Sequence, residues 1–284
     1  MTNMTHDLEL STAMTQLCLR PSWGGRVVSL THEGRDVLHP LQATAGFNPS
    51  LWPKGGAYPL FPFHNRIPHG RFVRHGQEVQ LPLHPYEPCA VHGHAHQHPW
   101  QVTAATATTA ELLFQDDGQG AWPWAFEARQ DFTIHPGRLT VGLSITNLSG
   151  CMMPAGLGWH PFFIKADTLV TDAAREWAIG PDLLPTGDWT VPQPGAATRY
   201  LSDWSDVRMR TASGLDLHLQ ATAPLAHLVI HDPDGPYSCV EPVSHLANAM
   251  NLRPGGGADD LADLAPGERL DARVELAFNK APCR

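Results

Sequence analysis

The sequence is poor in several features that mark whole classes of protein. Charged residues make up only 17% of the 284 residues, and the formal net charge is −9. No segment concentrates lysine or arginine, so neither nucleic acid nor an anionic membrane is expected as a partner. No apolar run approaches the length of a membrane span. These absences favour a neutral small molecule as the ligand.

Cysteine is also scarce. The five cysteines are odd in number and widely scattered, which indicates neither a disulfide framework nor a zinc ribbon. The first residues lack a basic segment followed by an apolar one, so no secretory signal is expected. A reducing, cytoplasmic location is therefore predicted. Residues 1–10 are expected to form a disordered tail, and residues 254–257 a mobile loop.

Glycine and proline are plentiful, at 25 and 26 residues, and they punctuate the chain from end to end. Between them the apolar residues recur with period two, as over 139–145, 215–219 and 274–278. Such alternation is typical of antiparallel strands with one buried face. Many short strands separated by turns predict an all-β fold, a sandwich or a barrel, in one domain spanning 1–284.

Glu241 is a carboxylate within the stretch Cys239–Val243, at the end of an apolar run. Acidic residues are seldom buried without a partner, so Glu241 is either a solvated strand end or a carboxylate kept for chemistry. His160 lies among aromatic residues directly before Pro161, which restricts it to an extended backbone. It is either a core histidine or part of a carbohydrate subsite, where aromatic faces accompany polar donors.

Two further polar stretches precede these. Arg66 follows Asn65 between aromatic and aliphatic residues, and it either holds a loop or binds paired hydroxyls. A histidine run follows at 92, 94, 96 and 98; if extended, the backbone would place all four on one face. That face could be a metal site, an exposed rim, or a surface on which His92 faces a sugar.

Taken in chain order, these stretches resemble the aldose 1-epimerase (galactose mutarotase-like) family. The similarity extends over about residues 22–280 and follows the family's motif order. The motifs are Asn65-Arg66, His92-Gly93 with Trp100, Gly158-Trp159-His160-Pro161-Phe162-Phe163, and Glu241-Pro242-Val243.

The resemblance implies a large antiparallel β-sandwich with a shallow cleft, and an enzyme that interconverts α and β anomers of an aldose at C1. Glu241 matches the family's general base and His160 its general acid. His92 matches a second histidine near the ring oxygen, and Arg66 a hydroxyl-binding arginine. We also expect Asn65 and Trp159 at the substrate. These expectations include no cofactor, no metal, a sugar as the partner, and a monomer or homodimer.

The family also places a substrate-binding Asp between its His-Pro motif and its Glu. Asp203 is the preferred candidate here and Asp206 the alternative, and both could instead be loop acids. The resemblance implies a free or phosphorylated hexose as the substrate, and Lys54, Arg71 and Arg74 could supply a phosphate site.

Two other functions remain open from the sequence. One is a carbohydrate-binding protein without catalysis on the same fold, although binding alone does not require an acid and a base. The other is a metalloenzyme built on the four histidines at 92, 94, 96 and 98.

Overall fold

The computed structural model describes residues 7–42, 47–193, 195–252 and 261–280 and consists almost entirely of β-strands. In chain order the strands are β1 (Leu8–Ser11), β2 (Thr15–Arg20), β3 (Arg26–His32), β4 (Arg35–Asp36), β5 (Ala57–Leu60), β6 (Arg66–Pro68), β7 (Arg71–Arg74), β8 (Gln77–Gln80), β9 (Cys89–Val91), β10 (Gln101–Ala105), β11 (Thr109–Asp117), β12 (Ala125–His135), β13 (Arg138–Asn147), β14 (Met153–Ala155), β15 (Gly158–Ile164), β16 (Ala166–Thr171), β17 (Arg175–Ile179), β18 (Pro185–Thr190), β19 (Thr198–Ser202), β20 (Val207–Thr211), β21 (Leu215–Ala221), β22 (His227–His231), β23 (Tyr237–Val243), β24 (Ala262–Leu264) and β25 (Arg269–Lys280). Short 3₁₀ helices lie at Pro21–Trp23, Pro49–Leu51, Ala95–Gln97 and Ala249–Asn251. Within the described ranges, no helix has the length and apolar character needed to span a bilayer.

Two large antiparallel sheets dominate the fold. The eleven-stranded sheet has the order β1-β2-β3-β5-β15-β23-β22-β19-β17-β18, with β4 paired to β3. The eight-stranded sheet has the order β10-β11-β12-β13-β25-β21-β20-β16. Apolar side chains from both sheets belong to one continuous core. The predicted all-β fold with a large antiparallel sandwich is confirmed.

The eight-stranded sheet follows the period-two pattern of the sequence. In β13, Leu139, Val141, Leu143 and Ile145 are all buried, and they belong to the core shared with the other sheet. Each fully buried aliphatic side chain of this kind contributes about 1.5–3 kcal/mol relative to an exposed one. The core between the sheets therefore stabilises the eleven-stranded sheet, whose opposite face lies outside this core.

The central strands of the eleven-stranded sheet differ because both of their faces are buried. β5, β15, β22 and β23 show almost continuous burial rather than alternation. One face joins the core between the sheets. The other face carries a second apolar cluster that includes Tyr58, Phe162, Val229 and Cys239. Polar side chains on this second face are therefore enclosed.

The first strand corrects one expectation about the chain ends. Residues 8–10 lie in β1, which pairs with β2 from Leu8↔Leu19 to Ser11↔Gln16, so the tail predicted over 1–10 is wrong for them. Residues 1–6 and the loop expected at 254–257 lie outside the described residues. A single domain over 1–284 stays a prediction.

Candidate active site

A cavity of about 350 Å³ opens on the face of the eleven-stranded sheet that carries the second apolar cluster. Its volume lies within the range of small-molecule sites. Of the residues predicted for the site, it is lined by Glu241, His160, His92, Arg66 and Asn65.

Glu241 and His160 meet across two neighbouring strands. The registers Gly158↔Val243 and Phe162↔Cys239 between β15 and β23 place His160 opposite Glu241. His160 Nε2 lies 3.3 Å from Glu241 Oε1, and both side chains are buried. The remaining atoms, His160 Nδ1 and Glu241 Oε2, are buried without a hydrogen-bond partner among the described residues. A carboxyl group and an imidazole therefore lie side by side, and each has one polar atom available to a ligand.

Burial shifts the protonation of both groups toward their uncharged forms. Desolvation raises the pKa of Glu241 to about 8, against the opposing charges of Lys54 and Arg66. Desolvation also lowers the pKa of His160 well below its ordinary value, and the neighbouring His92 acts in the same direction. A carboxylic acid beside a neutral imidazole is thus the favoured state of the pair in the closed pocket.

His92 is oriented as a hydrogen-bond donor. The backbone N–H of Asn65 donates to His92 Nδ1 at 3.0 Å, so the neutral ring carries its proton on Nε2. Burial, and then the charge of Arg66, lowers the pKa of His92 to about 3, which keeps the ring neutral. The turn also needs Gly93 at φ +67°, since a Cβ there would lie 1.9 Å from the carbonyl oxygen of Phe61. The His-Gly dipeptide is thereby explained.

Arg66 is held in place by Glu87. Its Nε and Nη2 donate to the two carboxylate oxygens of Glu87 at 2.5 and 2.8 Å. This bidentate pair raises the pKa of Arg66 and fixes the plane of its guanidinium. Asn65 adopts φ 58°, and its Oδ1 accepts from the hydroxyl of Tyr200 at 3.4 Å. The Asn-Arg dipeptide thus presents an oriented cation at the cavity.

Aromatic rings form the walls of the cavity. Tyr58 stacks on the His160 imidazole with ring centroids 4.6 Å apart, and Phe162 does so at 4.7 Å. Trp52 meets His92 edge-on at 5.8 Å. Such walls suit the apolar C–H faces of a pyranose, whose hydroxyl edge would meet the polar groups.

Several cavity residues were not identified from the sequence. Their common property is a position on the second face of the sheet or on loops folded over it, which no local pattern reveals. These residues are Arg26, Trp52, Tyr58, Glu87, Tyr200, His231 and Cys239.

Asp203, the preferred candidate for the substrate-binding acid, lies away from the cavity. Thr198 and Tyr200 on β19 line the cavity, whereas Asp203 lies beyond the end of that strand and is not among the lining residues. Its carboxylate pairs with the guanidinium of Arg175. The alternative, Asp206, also lies outside the cavity.

Trp159 also lies away from the cavity. The residue is completely buried in the core between the sheets and does not line the cavity. The reason is strand alternation: His160 and Phe162 face the cavity, so Trp159 faces the opposite side of the sheet. Trp159 therefore lies away from the cavity, and its contact with substrate stays a prediction.

The histidine run does not form one face. The 3₁₀ helix at 95–97 breaks the extended backbone, so only His92 and His96 line the cavity. His94 instead bonds to Asp116, with Nε2 and Oδ2 2.7 Å apart. The four histidines therefore do not converge on one metal position.

A different set of metal-ligand types does converge. Among the described residues, ligand atoms of His160, Cys239 and Glu241 all lie within 4.8 Å of one another. These donors are of kinds that Zn²⁺ accepts. Two of the three residues are the acid and base described above.

The suggested phosphate site is only partly present. Lys54 lines the cavity, but Arg71 and Arg74 do not. Arg71 donates to Gln80, and Arg74 pairs with Asp263 at 2.8 Å. Both arginines are therefore engaged on the surface away from the cavity.

Comparisons with known proteins agree with this architecture. The family model for aldose 1-epimerase matches residues 8–277. The uncharacterized protein YphB of Escherichia coli K12 is 29% identical over 244 residues, which cover 77% of this chain and 82% of YphB.

Solved structures show the same fold. A galactose mutarotase-like protein from Clostridium acetobutylicum superposes with a TM-score of 0.85 at 20% identity, over 96% of this chain and 94% of that one. The galactose 1-epimerase of Lactobacillus acidophilus NCFM gives a TM-score of 0.75 at 14% identity, over 97% and 95%. With the family model matching nearly its whole length, the chain belongs to the aldose 1-epimerase family.

Proposed function

We propose that the protein is an aldose 1-epimerase, which interconverts the α and β anomers of a hexose by opening and reclosing the ring at C1. The observation that carries this proposal is the 3.3 Å contact between Glu241 and His160. Ring opening removes a proton from the C1 hydroxyl and delivers one to the ring oxygen. Both oxygens are bonded to C1, so the base and the acid must be neighbours.

In the proposed reaction, the Glu241 carboxylate takes the proton of the C1 hydroxyl while the protonated His160 donates to the ring oxygen. The C1–O5 bond breaks and leaves an open-chain aldehyde. Rotation about C1–C2 exposes the other face of the aldehyde, and ring closure runs the same transfers in reverse. Each positioned acid or base of this kind contributes about 10²–10⁴-fold to the rate.

The number of protons bound by Glu241 and His160 is consistent with this cycle. One proton is shared between the two groups throughout. After ring opening, Glu241 holds it and His160 is neutral, which is the uncharged state that burial favours. The enclosed pocket therefore stabilises the pair in the form it takes beside the aldehyde. The reaction includes no redox step and no carbanion, so side chains can supply all of the chemistry.

Other groups would orient the sugar. The Nε2–H of His92 is a fixed donor, because Asn65 occupies the other ring nitrogen. Arg66 offers guanidinium donors to hydroxyls while Glu87 holds its plane. Positioning of this kind lowers the barrier by presenting the sugar in the reactive geometry.

The substitution Glu241→Gln tests the proposal. Fresh α-glucose and α-galactose should mutarotate faster with the wild-type protein, and the variant should lose about 10²–10⁴-fold in kcat. Glu127→Gln is the matched control: Glu127 lies in the eight-stranded sheet and bonds to Arg129 and Gln115 away from the cavity. Polarimetry and exchange NMR would follow the anomers.

Two outcomes would contradict the proposal. Full activity in Glu241→Gln would remove the base from the mechanism. Sugar binding detected by calorimetry, with a wild-type rate no faster than buffer, would indicate a binding protein instead.

A further inference from the structure

Arg26 is a buried cation that the proposed mechanism does not use. It lines the cavity and is only 1% exposed. Its Nε and Nη1 are buried and have no hydrogen-bond partner among the described residues. A buried charge without a counter-ion is costly, so it is retained where a ligand can supply one.

Two aromatic rings hold the Arg26 guanidinium. Its Cζ lies 4.3 Å from the centroid of Tyr58 and 5.2 Å from that of Phe47. The faces of the two rings stabilise the positive charge, but they do not accept hydrogen bonds from the N–H groups, which lie in the plane of the guanidinium. The guanidinium is thus positioned by packing while its donors remain available.

The cavity carries more cationic than anionic side chains. Among the described residues that line it, the cations are Arg26, Lys54 and Arg66, and the carboxyl groups are Glu87 and Glu241. Glu87 is bound to Arg66, and Glu241 adjoins His160. The pair of Glu241 and His160 holds one proton and is neutral as a unit, so Arg26 and Lys54 are both left without a carboxylate, in a protein whose net charge is −9. A negatively charged group on the substrate would reduce this excess.

We propose that Arg26 binds a carboxylate of the substrate, so that the sugar is a hexuronate, an aldose with a carboxylate in place of the C6 hydroxymethyl group. This proposal rests on the proposed epimerase activity. A carboxylate is planar like the guanidinium, and its oxygens can accept from the Arg26 donors that have no partner among the described residues.

The position of Arg26 agrees with the geometry of a hexuronate ring. The carboxylate is attached to C5, the carbon bonded to the ring oxygen on the side away from C1. His160 is the group that would protonate that oxygen. The Tyr58 ring contacts both groups: Arg26 Cζ lies 4.3 Å from its centroid, and the His160 imidazole stacks on it with ring centroids 4.6 Å apart. Arg26 therefore lies on the ring-oxygen side of the pair. The carboxylate takes no part in ring opening, so the reaction is unchanged.

Anomer exchange of glucuronate, glucose and glucose 6-phosphate, measured by NMR, tests the assignment. The wild-type protein should prefer glucuronate in kcat/KM, and Arg26→Met should lose about 10- to 100-fold on glucuronate, mainly through KM. The same variant should lose less in kcat/KM on glucose, which has no carboxylate, than on glucuronate, and Arg26→Lys should recover part of the loss on glucuronate. The control is Arg20→Met: Arg20 lies 4.0 Å from the Trp23 ring centroid, is paired with Asp7, and does not line the cavity.

Thermal unfolding separates binding from a structural role. Replacing a buried, unpaired charge with an apolar side chain should leave the melting temperature of Arg26→Met equal or higher. A lower melting temperature with equal losses on glucose and glucuronate would overturn the proposal. A wild-type preference for glucose or for glucose 6-phosphate would overturn it too. If no aldose is turned over, the epimerase function itself fails, and binding of glucuronate by calorimetry would still test Arg26.

Discussion

The eight-stranded sheet buries one face of its strands, and the central strands of the eleven-stranded sheet bury both. β13 in the first alternates between core and outer positions, whereas β15 and β23 in the second are buried along nearly their whole length. Loops lie over the second buried face of these strands and leave an opening at the cavity. A strand with two buried faces can therefore place polar side chains in an enclosed pocket. A strand with one exposed face places its polar side chains in solvent.

The two regions also differ in whether their buried polar atoms have hydrogen-bond partners. The inner face of β13 is made of aliphatic side chains packed in the core. The cavity face of the other sheet includes Glu241, His160 and Arg26, each with a buried polar atom that has no partner among the described residues. Such groups cost stability and are typical of sites that act on a ligand. These unsatisfied groups thus lie at the cavity and not on the inner face of β13.

The largest expected effect on stability comes from the eight-stranded sheet. Leu143→Ala removes a side chain that is 1% exposed in the shared core, and should lower the free energy of unfolding by about 2–5 kcal/mol. Urea unfolding would measure the loss. Below the melting temperature, KM for the sugar should be unchanged, because the residue does not line the cavity. A KM that rises with the loss of stability would show that the two regions are coupled.

The substitution Glu241→Gln in the cavity is expected to have a smaller effect on the free energy of unfolding, and of opposite sign. Glu241 has a pKa raised from 4.5 to about 8 in the folded protein. Between these values the unfolded carboxyl is ionised while the folded one keeps its proton, so unfolding releases a proton and stability falls as pH rises. Glu241→Gln removes this penalty. The variant should match the wild type near pH 4.5 and exceed it by about 1–4 kcal/mol above pH 8.

Unfolding curves of both proteins at several pH values would test this. His160 also contributes a pH dependence, because its lowered pKa removes stability below the ordinary value of 6.5. That contribution is present in both proteins, so the difference between them isolates Glu241. A difference that does not grow with pH would mean that Glu241 is ionised in the folded protein.

Sequence patterns predicted the two sheets to different degrees. Alternation identified β13, β21 and β25, because one face of each is buried and the period is visible. It could not show which side of β15 faces the cavity, since both sides are apolar, so alternation does not distinguish the core position of Trp159 from the cavity position of His160. Glu241 and His160 could be paired from motif order, but their 3.3 Å contact depends on the register of two strands that are far apart in the sequence. Arg26 reaches the cavity through packing that no local pattern encodes.

Asp203 gives the smallest expected effect and the clearest contrast with Glu241. Both are carboxylates near strand ends, yet the Asp203 side chain is 47% exposed and its partner is Arg175. Exposed ion pairs contribute about 0–1 kcal/mol, so Asp203→Asn should change the free energy of unfolding by no more than that. Because the residue lies outside the cavity, kcat/KM should stay within about twofold of wild type in the anomer-exchange assay. A large rise in KM would instead restore Asp203 as the substrate-binding acid and require the end of β19 to move toward the cavity when sugar binds.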